Sequence, residues 1–133
     1  MKFSILNTIR GNNFTDPDIQ VKLMDFWKQN GSFLKEAKEQ DKIVAAVYHD
    51  YESDYKGDYL VSICKESEAD YAFDTSAYLW KEYVVSKNDE QGIVNTWKKI
   101  WSDEEAQVIN RVYDFDVEKY APNGEISILI AVQ

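Results

Sequence analysis

The sequence predicts an α+β domain: a tandem β-α-β-β repeat with an antiparallel sheet and two helices flanking a ligand groove. Three observations carry this. Stretches with a period of two and stretches with a helical period alternate in the order β-α-β-β, linker, β-α-β-β. The chain closes on a hairpin, Phe115 to Val132, that turns at Ala121-Pro122-Asn123-Gly124. The segment GDYLVSI at 57–63 is echoed by GEISILI at 124–130, with the same Gly-acid start and alternation, a weak internal repeat that implies pseudo-twofold symmetry. The 133 residues suffice for one domain with a real core, here divided into units of about 1–66 and 76–133.

Residues 2–10, KFSILNTIR, read as the first strand, with Phe3, Ile5 and Ile9 inward. Gly11-Asn12-Asn13 breaks it. Thr15-Asp16-Pro17-Asp18 has the composition of a helix start, with a capping residue, proline near the first turn and acids at the positive end of the dipole. Ile19, Leu23, Phe26, Trp27, Leu34 and Ala37 then recur at helical spacing, and Asn30-Gly31 interrupts them, so one broken helix or two short ones end near Asp41. Lys42–Asp50 and Asp58–Cys64 read as a hairpin around the turn-rich 51–57. Residues 65–75 are polar and read as the loop between the halves.

Ser76–Ser86 is the next strand. A second helix opens at Lys87-Asn88-Asp89-Glu90, carries Ile93, Trp97, Ile100 and Trp101 on one stripe, and ends over the acidic Ser102–Glu105, read as a solvated helix end. In the closing hairpin, Val112–Tyr120 turns through Asn-Gly, residues that tolerate positive φ. On the return strand Ile126, Ile128, Ile130 and Val132 share one face, with Ser127, Leu129 and Ala131 on the other. A strand apolar on both sides belongs in the interior of a sheet.

Composition narrows the function classes. Net charge is −9, which argues against direct binding of nucleic acid or anionic lipid, since both select basic surfaces, and is compatible with binding cations. Aromatic content is 14%, from 4 Trp, 9 Tyr and 6 Phe; such side chains serve cores and line ligand pockets. Cys64 is the single cysteine, so paired-cysteine metal motifs are absent. With neither HExxH nor a Gly-rich phosphate loop, no metal, cofactor or catalytic residue is assigned. The start MKFSILNTIRGN lacks the apolar core of a signal peptide and no apolar run is long enough to span a bilayer; a bacterial-type cytoplasmic protein is expected.

The segments AVYHDYESDYKGDYLVSI (46–63), WKKIW (97–101) and DVEKYAPNGEISILIAV (116–132), in this order and over almost the whole chain, resemble the GyrI-like small-molecule-binding domain. This is the effector-binding domain of AraC-type and multidrug-sensing transcription regulators, which also occurs alone. The resemblance implies the same tandem β-α-β-β fold and a groove between the halves that takes small, often cationic and aromatic molecules. It implies that the acid of the closing motif, Glu118 in this sequence, faces that groove. The family's usual aromatic before this acid is Val117 here, which puts the cavity's shape in question.

From the residues themselves, Glu118 beside Tyr120 is either an exposed strand acid or a buried charge that needs a partner. Tyr48 and Tyr51 lie on or beside the second strand, where either can wall the groove. Trp97 and Trp101, four apart, share a helix face. Phe26 and Trp27 are adjacent and point in different directions, so one of them reaches the groove. His49, the single histidine, reads as a surface or hairpin residue, without a Ser-centred motif for a triad. The expected partner is a small cationic or aromatic molecule held by Glu118, for sensing or sequestration. The alternative, hydrolysis of reactive cyclopropyl-type toxic compounds, uses Glu118 as general base, as the resemblance implies for some members. A third reading is a protein partner, a regulator or gyrase, for the acidic surface.

Overall fold

The computed structural model describes residues 1–133. Strands β1 (Lys2–Gly11), β2 (Val44–His49), β3 (Tyr59–Glu66), β4 (Phe73–Asp74), β5 (Leu79–Val84), β6 (Phe115–Tyr120) and β7 (Ile126–Val132) are joined by helices α1 (Ile19–Gln29), α2 (Gly31–Glu39) and α3 (Gly92–Glu105). The strands form one antiparallel, curled sheet that closes into a half-barrel, in the order β4-β1-β3-β2-β6-β7-β5. Without the two-residue β4 this order is symmetric about the β2–β6 seam: β2 answers β6, β3 answers β7 and β1 answers β5. No helix is long and apolar enough to cross a membrane.

The break in the first helical stretch has a local cause. The buried Asn30 side chain donates from Nδ2 to the Phe26 carbonyl at 2.8 Å. It takes the acceptor that a continuing helix would give to the Asn30 backbone N–H, and α2 restarts at Gly31. At the closing turn Gly124 has φ +90°, a conformation only glycine adopts without strain.

Alternation along the strands sends side chains into two separate cores. On one face Ala45, Val47, Cys64, Phe115, Val117 and Leu129 are buried with Phe3, covered by Phe73, Tyr78 and Trp80. On the other face lie all three helices. Phe26, Leu23, Trp27 and Leu34 pack on Ala46, Tyr59, Val61 and Ile63, while Ile93, Trp97 and Ile100 pack on Ile128 and Ile130. The return strand β7 is thus buried on both sides, between β6 and β5, as its two apolar faces require.

Three expectations need correction. The inward set Phe3, Ile5, Ile9 assumed unbroken alternation, but the β1–β3 register shifts between Ile5 and Asn7. The inserted residue exchanges the faces, so Phe3 and Ile9 lie on opposite sides and Ile5 is exposed. The 65–75 linker is not all loop, because β4 pairs with β1 there. Of the two readings of His49, surface or hairpin residue, only the second holds: it ends β2, paired with β3, and is buried. Its Nε2 lies 2.7 Å from Ser62 Oγ and its Nδ1 3.3 Å from Asp50 Oδ2, with Thr8 Oγ1 2.7 Å from the same Ser62 oxygen. In this Ser-His-Asp arrangement Ser62 and His49 are buried in the face away from the helices, while Asp50 is exposed at its edge.

Burial lowers the His49 pKa below its ordinary value of 6.5, against an opposing pull from Asp50. The folded state therefore holds the neutral ring while the unfolded chain protonates at its ordinary value. The stability His49 contributes is present above pH 6.5 and is lost as pH falls through the lower folded-state value. Urea unfolding of wild type and His49→Gln should show this: the wild type loses stability relative to the variant as pH falls below 6.5.

Candidate functional site

Strand β6 carries two acids on the helix face, Asp116 and Glu118, separated by Val117, which turns to the opposite core. The seam sets their neighbours: Asp116 lies across from Tyr48 of β2 and Glu118 across from Ala46. Val117, the departure noted in the sequence, is fully buried on the far face and takes no part in the cavity's shape.

The two acids are treated differently. Asp116 is fully buried and ion-paired: Arg111 Nη2 donates to its Oδ2 at 2.6 Å, Tyr51 Oη donates to the same oxygen at 2.5 Å, and the Ala131 N–H donates to Oδ1 at 3.0 Å. Arg111, with its guanidinium carbon 4.3 Å from the Tyr113 ring centroid, also donates to Glu104 Oε1 at 3.3 Å. Tyr113 Oη donates to that oxygen at 2.6 Å. The acidic end of α3 is therefore only in part solvated: Ser102 and Glu105 are exposed, while Asp103 and Glu104 are not. Glu104 closes this cluster, and Asp103, buried, accepts from Tyr83 and Lys99 at 2.8 and 2.7 Å.

Glu118 is 3% exposed and has no cation. Its Oε2 accepts from Trp97 Nε1 at 2.5 Å and Tyr48 Oη at 2.9 Å; its Oε1 accepts from Tyr120 Oη at 2.7 Å. All three donors are neutral. Burial raises the Glu118 pKa, and the hydrogen bonds from Trp97, Tyr120 and Tyr48 oppose that rise without cancelling it. Burial, then the negative field of Glu118, pushes Tyr48 and Tyr120 well above the ordinary tyrosine range, so both remain hydrogen donors.

Above Glu118 opens a cavity of about 580 Å³ between α1 and α3, within the roughly 300–1,000 Å³ typical of small-molecule sites. Trp27, Tyr48, Tyr51, Trp97, Trp101, Glu118 and Tyr120 all line it. Phe26 does not; it is buried beneath α1 against the sheet, and of the adjacent pair Trp27 reaches the groove. Tyr48 sits edge-on to Trp97 at 5.1 Å and to Tyr59 at 5.2 Å, and Trp27 to Tyr120 at 5.1 Å. One end is closed by Phe14, Tyr55 and Trp101, the last two stacked at 5.6 Å.

Sequence reasoning missed Tyr59, Tyr55, Phe14, Arg111 and Asp116. Tyr59 was reachable, because alternation along β3 places it with Val61 and Ile63. Arg111 and Asp116 were not, because their pairing depends on how the stretch before β6 folds back. No group of His, Cys, Asp and Glu is arranged to hold a metal ion.

No family model matches the chain. Over 122 residues it is 27% identical to a Bacillus subtilis (strain 168) protein named "Putative transcriptional regulator protein YobU", covering 80% of this chain and 74% of that one. Among solved structures it is similar to an integron cassette protein from the mobile metagenome of Vibrio cholerae. The TM-score is 0.66 at 21% identity, over 98% of this chain and 94% of that chain. The chain is thus related in sequence to a protein named as a regulator and shares its fold with a solved protein.

Arg111 is the positive partner for a carboxylate buried without water. Arg111→Met should cost about 3–5 kcal/mol by leaving that charge unpaired, read from urea unfolding. Adding Asp116→Asn should recover a large part of the loss, since the double variant buries no lone charge.

Proposed function

We propose that this protein binds organic cations with aromatic or apolar bodies in the 580 Å³ cavity, as an effector-sensing or sequestering module of the GyrI-like kind. One observation carries the reading: Glu118 is a buried carboxylate held by three neutral donors and no cation, while Asp116, on the same face of the same strand, has Arg111. A charge without a counterion in a low-dielectric pocket attracts a ligand cation strongly. The Tyr48, Trp97 and Trp27 rings add cation–π attraction of roughly 0.5–2 kcal/mol each. The relationship to a protein named as a transcriptional regulator supports a sensing role.

A hydrolytic use of the same carboxylate is favoured by its raised pKa, which suits a general base. Glu118 would take a proton from a water whose oxygen bonds to a strained-ring carbon. The ring bond breaks towards an electron-accepting group of the substrate, which is then protonated. Mass spectrometry of incubated compounds separates the two readings: a ring-opened product lost in Glu118→Gln marks turnover, and recovery of intact ligand marks binding alone.

Calorimetric titration with benzyltrimethylammonium and its neutral isostere neopentylbenzene tests the binding reading. Glu118→Gln should weaken the cation roughly 10- to 100-fold and leave the neutral compound nearly unchanged. Equal affinities for the two compounds would sink it. Because the Glu118 pKa is raised, cation affinity should fall as pH drops through that value, and the variant should show no such dependence. The same shift fixes a stability sign. The contribution of Glu118 is fully present below its unfolded value and lost as pH rises through the folded one, so at pH near 7 unliganded Glu118→Gln should melt no lower than wild type.

A further inference from the structure

A second cavity, about 440 Å³, adjoins the first, and Trp27, Ile93 and Tyr120 line both. These three side chains are only partly buried, and with Trp27 edge-on to Tyr120 at 5.1 Å they stand as a ridge between the chambers with their outer edges exposed. The second chamber is lined by Leu34, Val44 and the Ala121-Pro122 side of the closing turn. Its ionisable lining is Lys38 and Lys42. Neither lysine takes part in an ion pair within the chain. In a protein of net charge −9, the charged lining of this chamber is two unpaired lysines. The first chamber carries Glu90 and Glu118 beside Lys98 and Arg111, the last of these already paired with Asp116, and presents Glu118 as its buried charge without a counterion.

We infer that the ligand is bipolar and spans both chambers. A cationic aromatic head sits on Glu118, an apolar chain runs over the exposed edges of Trp27, Ile93 and Tyr120, and an anionic end such as a carboxylate lies between Lys38 and Lys42. This rests on the proposed cation site for the head and adds the chemistry of the remainder. The apolar walls of the second chamber reward methylenes, about threefold to fourfold in affinity for each one buried. The two lysines at its rim, still partly solvated, reward a terminal anion by roughly five- to tenfold. A purely cationic amphiphile gains the first increment without the second.

The probes are benzyltrimethylammonium, benzyldimethylalkylammonium ions from butyl to dodecyl, and the same series with the terminal methyl replaced by carboxylate. Each is titrated into wild type, Glu118→Gln, the double variant Lys38→Gln/Lys42→Gln, and Ala121→Trp, which fills the second chamber from its rim. The inference expects affinity to rise with chain length, a further gain from the carboxylate at the lengths that reach the lysines, and loss of that gain in the double lysine variant. In Ala121→Trp the length dependence should vanish while benzyltrimethylammonium binds as in wild type. If benzyltrimethylammonium binds through Glu118 but chain length and carboxylate change nothing, the second chamber is not used and the inference falls while the cation site stands. If length matters and the carboxylate does not, the anionic terminus is wrong. If the carboxylate series binds equally well to Glu118→Gln, the cation site is wrong while the second chamber stands. If no probe binds wild type, both readings fall.

Discussion

The β2–β6 seam is the constraint on which the rest of the molecule depends. It joins two strand sets whose order mirrors across it, and its register decides which side chains face the helices. Pairing Ala46 with Glu118 and Tyr48 with Asp116 puts both acids of β6 under the groove and both valines, Val47 and Val117, into the opposite core. A slip of one residue would reverse every one of these assignments. Ala46 matters as much for what it lacks: opposite Glu118 it presents no bulk, and the space above the carboxylate is left to Tyr48, Trp97 and Tyr120.

Two buried acids two residues apart on one strand are compensated in different ways. Asp116 has an ion pair, a tyrosine and a backbone amide, so its charge is compensated within the chain. Burial alone works against the Arg111 charge, but Asp116 more than offsets it and the guanidinium stays protonated. Glu118 is given hydrogen bonds without charge. Neutral donors hold its oxygens in place and lower part of the cost of ionising it, yet they leave the field of the carboxylate open to the cavity. Had Arg111 reached Glu118 instead, the cavity would be electrically closed.

The sequence showed most of this architecture and some of the site. The hairpin at Asn123-Gly124, the interruption at Asn30-Gly31 and the two-sided burial of β7 are written in local residue types, and local physics decides them. Trp97 and Trp101 on one helix stripe, and one of the Phe26-Trp27 pair in the groove, follow from helical geometry alone. What escaped depends on non-local register. The irregularity at Ile5–Asn7 has no signature in KFSILNTIR, so Ile5 was placed inside. The acidic end of α3 looked solvated because nothing in its own residues shows Arg111 and Tyr113 folding back on Glu104. Nothing local decides between a surface and a buried hairpin position for His49 either, its partner Ser62 lying across the β2–β3 pair.

The titrating groups on the two faces of the seam respond to acid in opposite senses, which under the proposed function would tie ligand affinity to stability. Protonation of Glu118 removes a buried charge and favours the folded state, but it erases the attraction for a cation. Protonation of His49 on the other face introduces a buried charge and disfavours the folded state. A cation bound as proposed would stabilise the folded protein by binding that state and not the unfolded chain, and would do so best where Glu118 is ionised and His49 neutral. The cost of an uncompensated carboxylate is thus confined to the same pH range in which the proposed ligand would offset it. The donors Tyr48, Trp97 and Tyr120 make the site preorganised: a cation entering the cavity finds the carboxylate already oriented, and little side-chain freedom remains to be lost on binding.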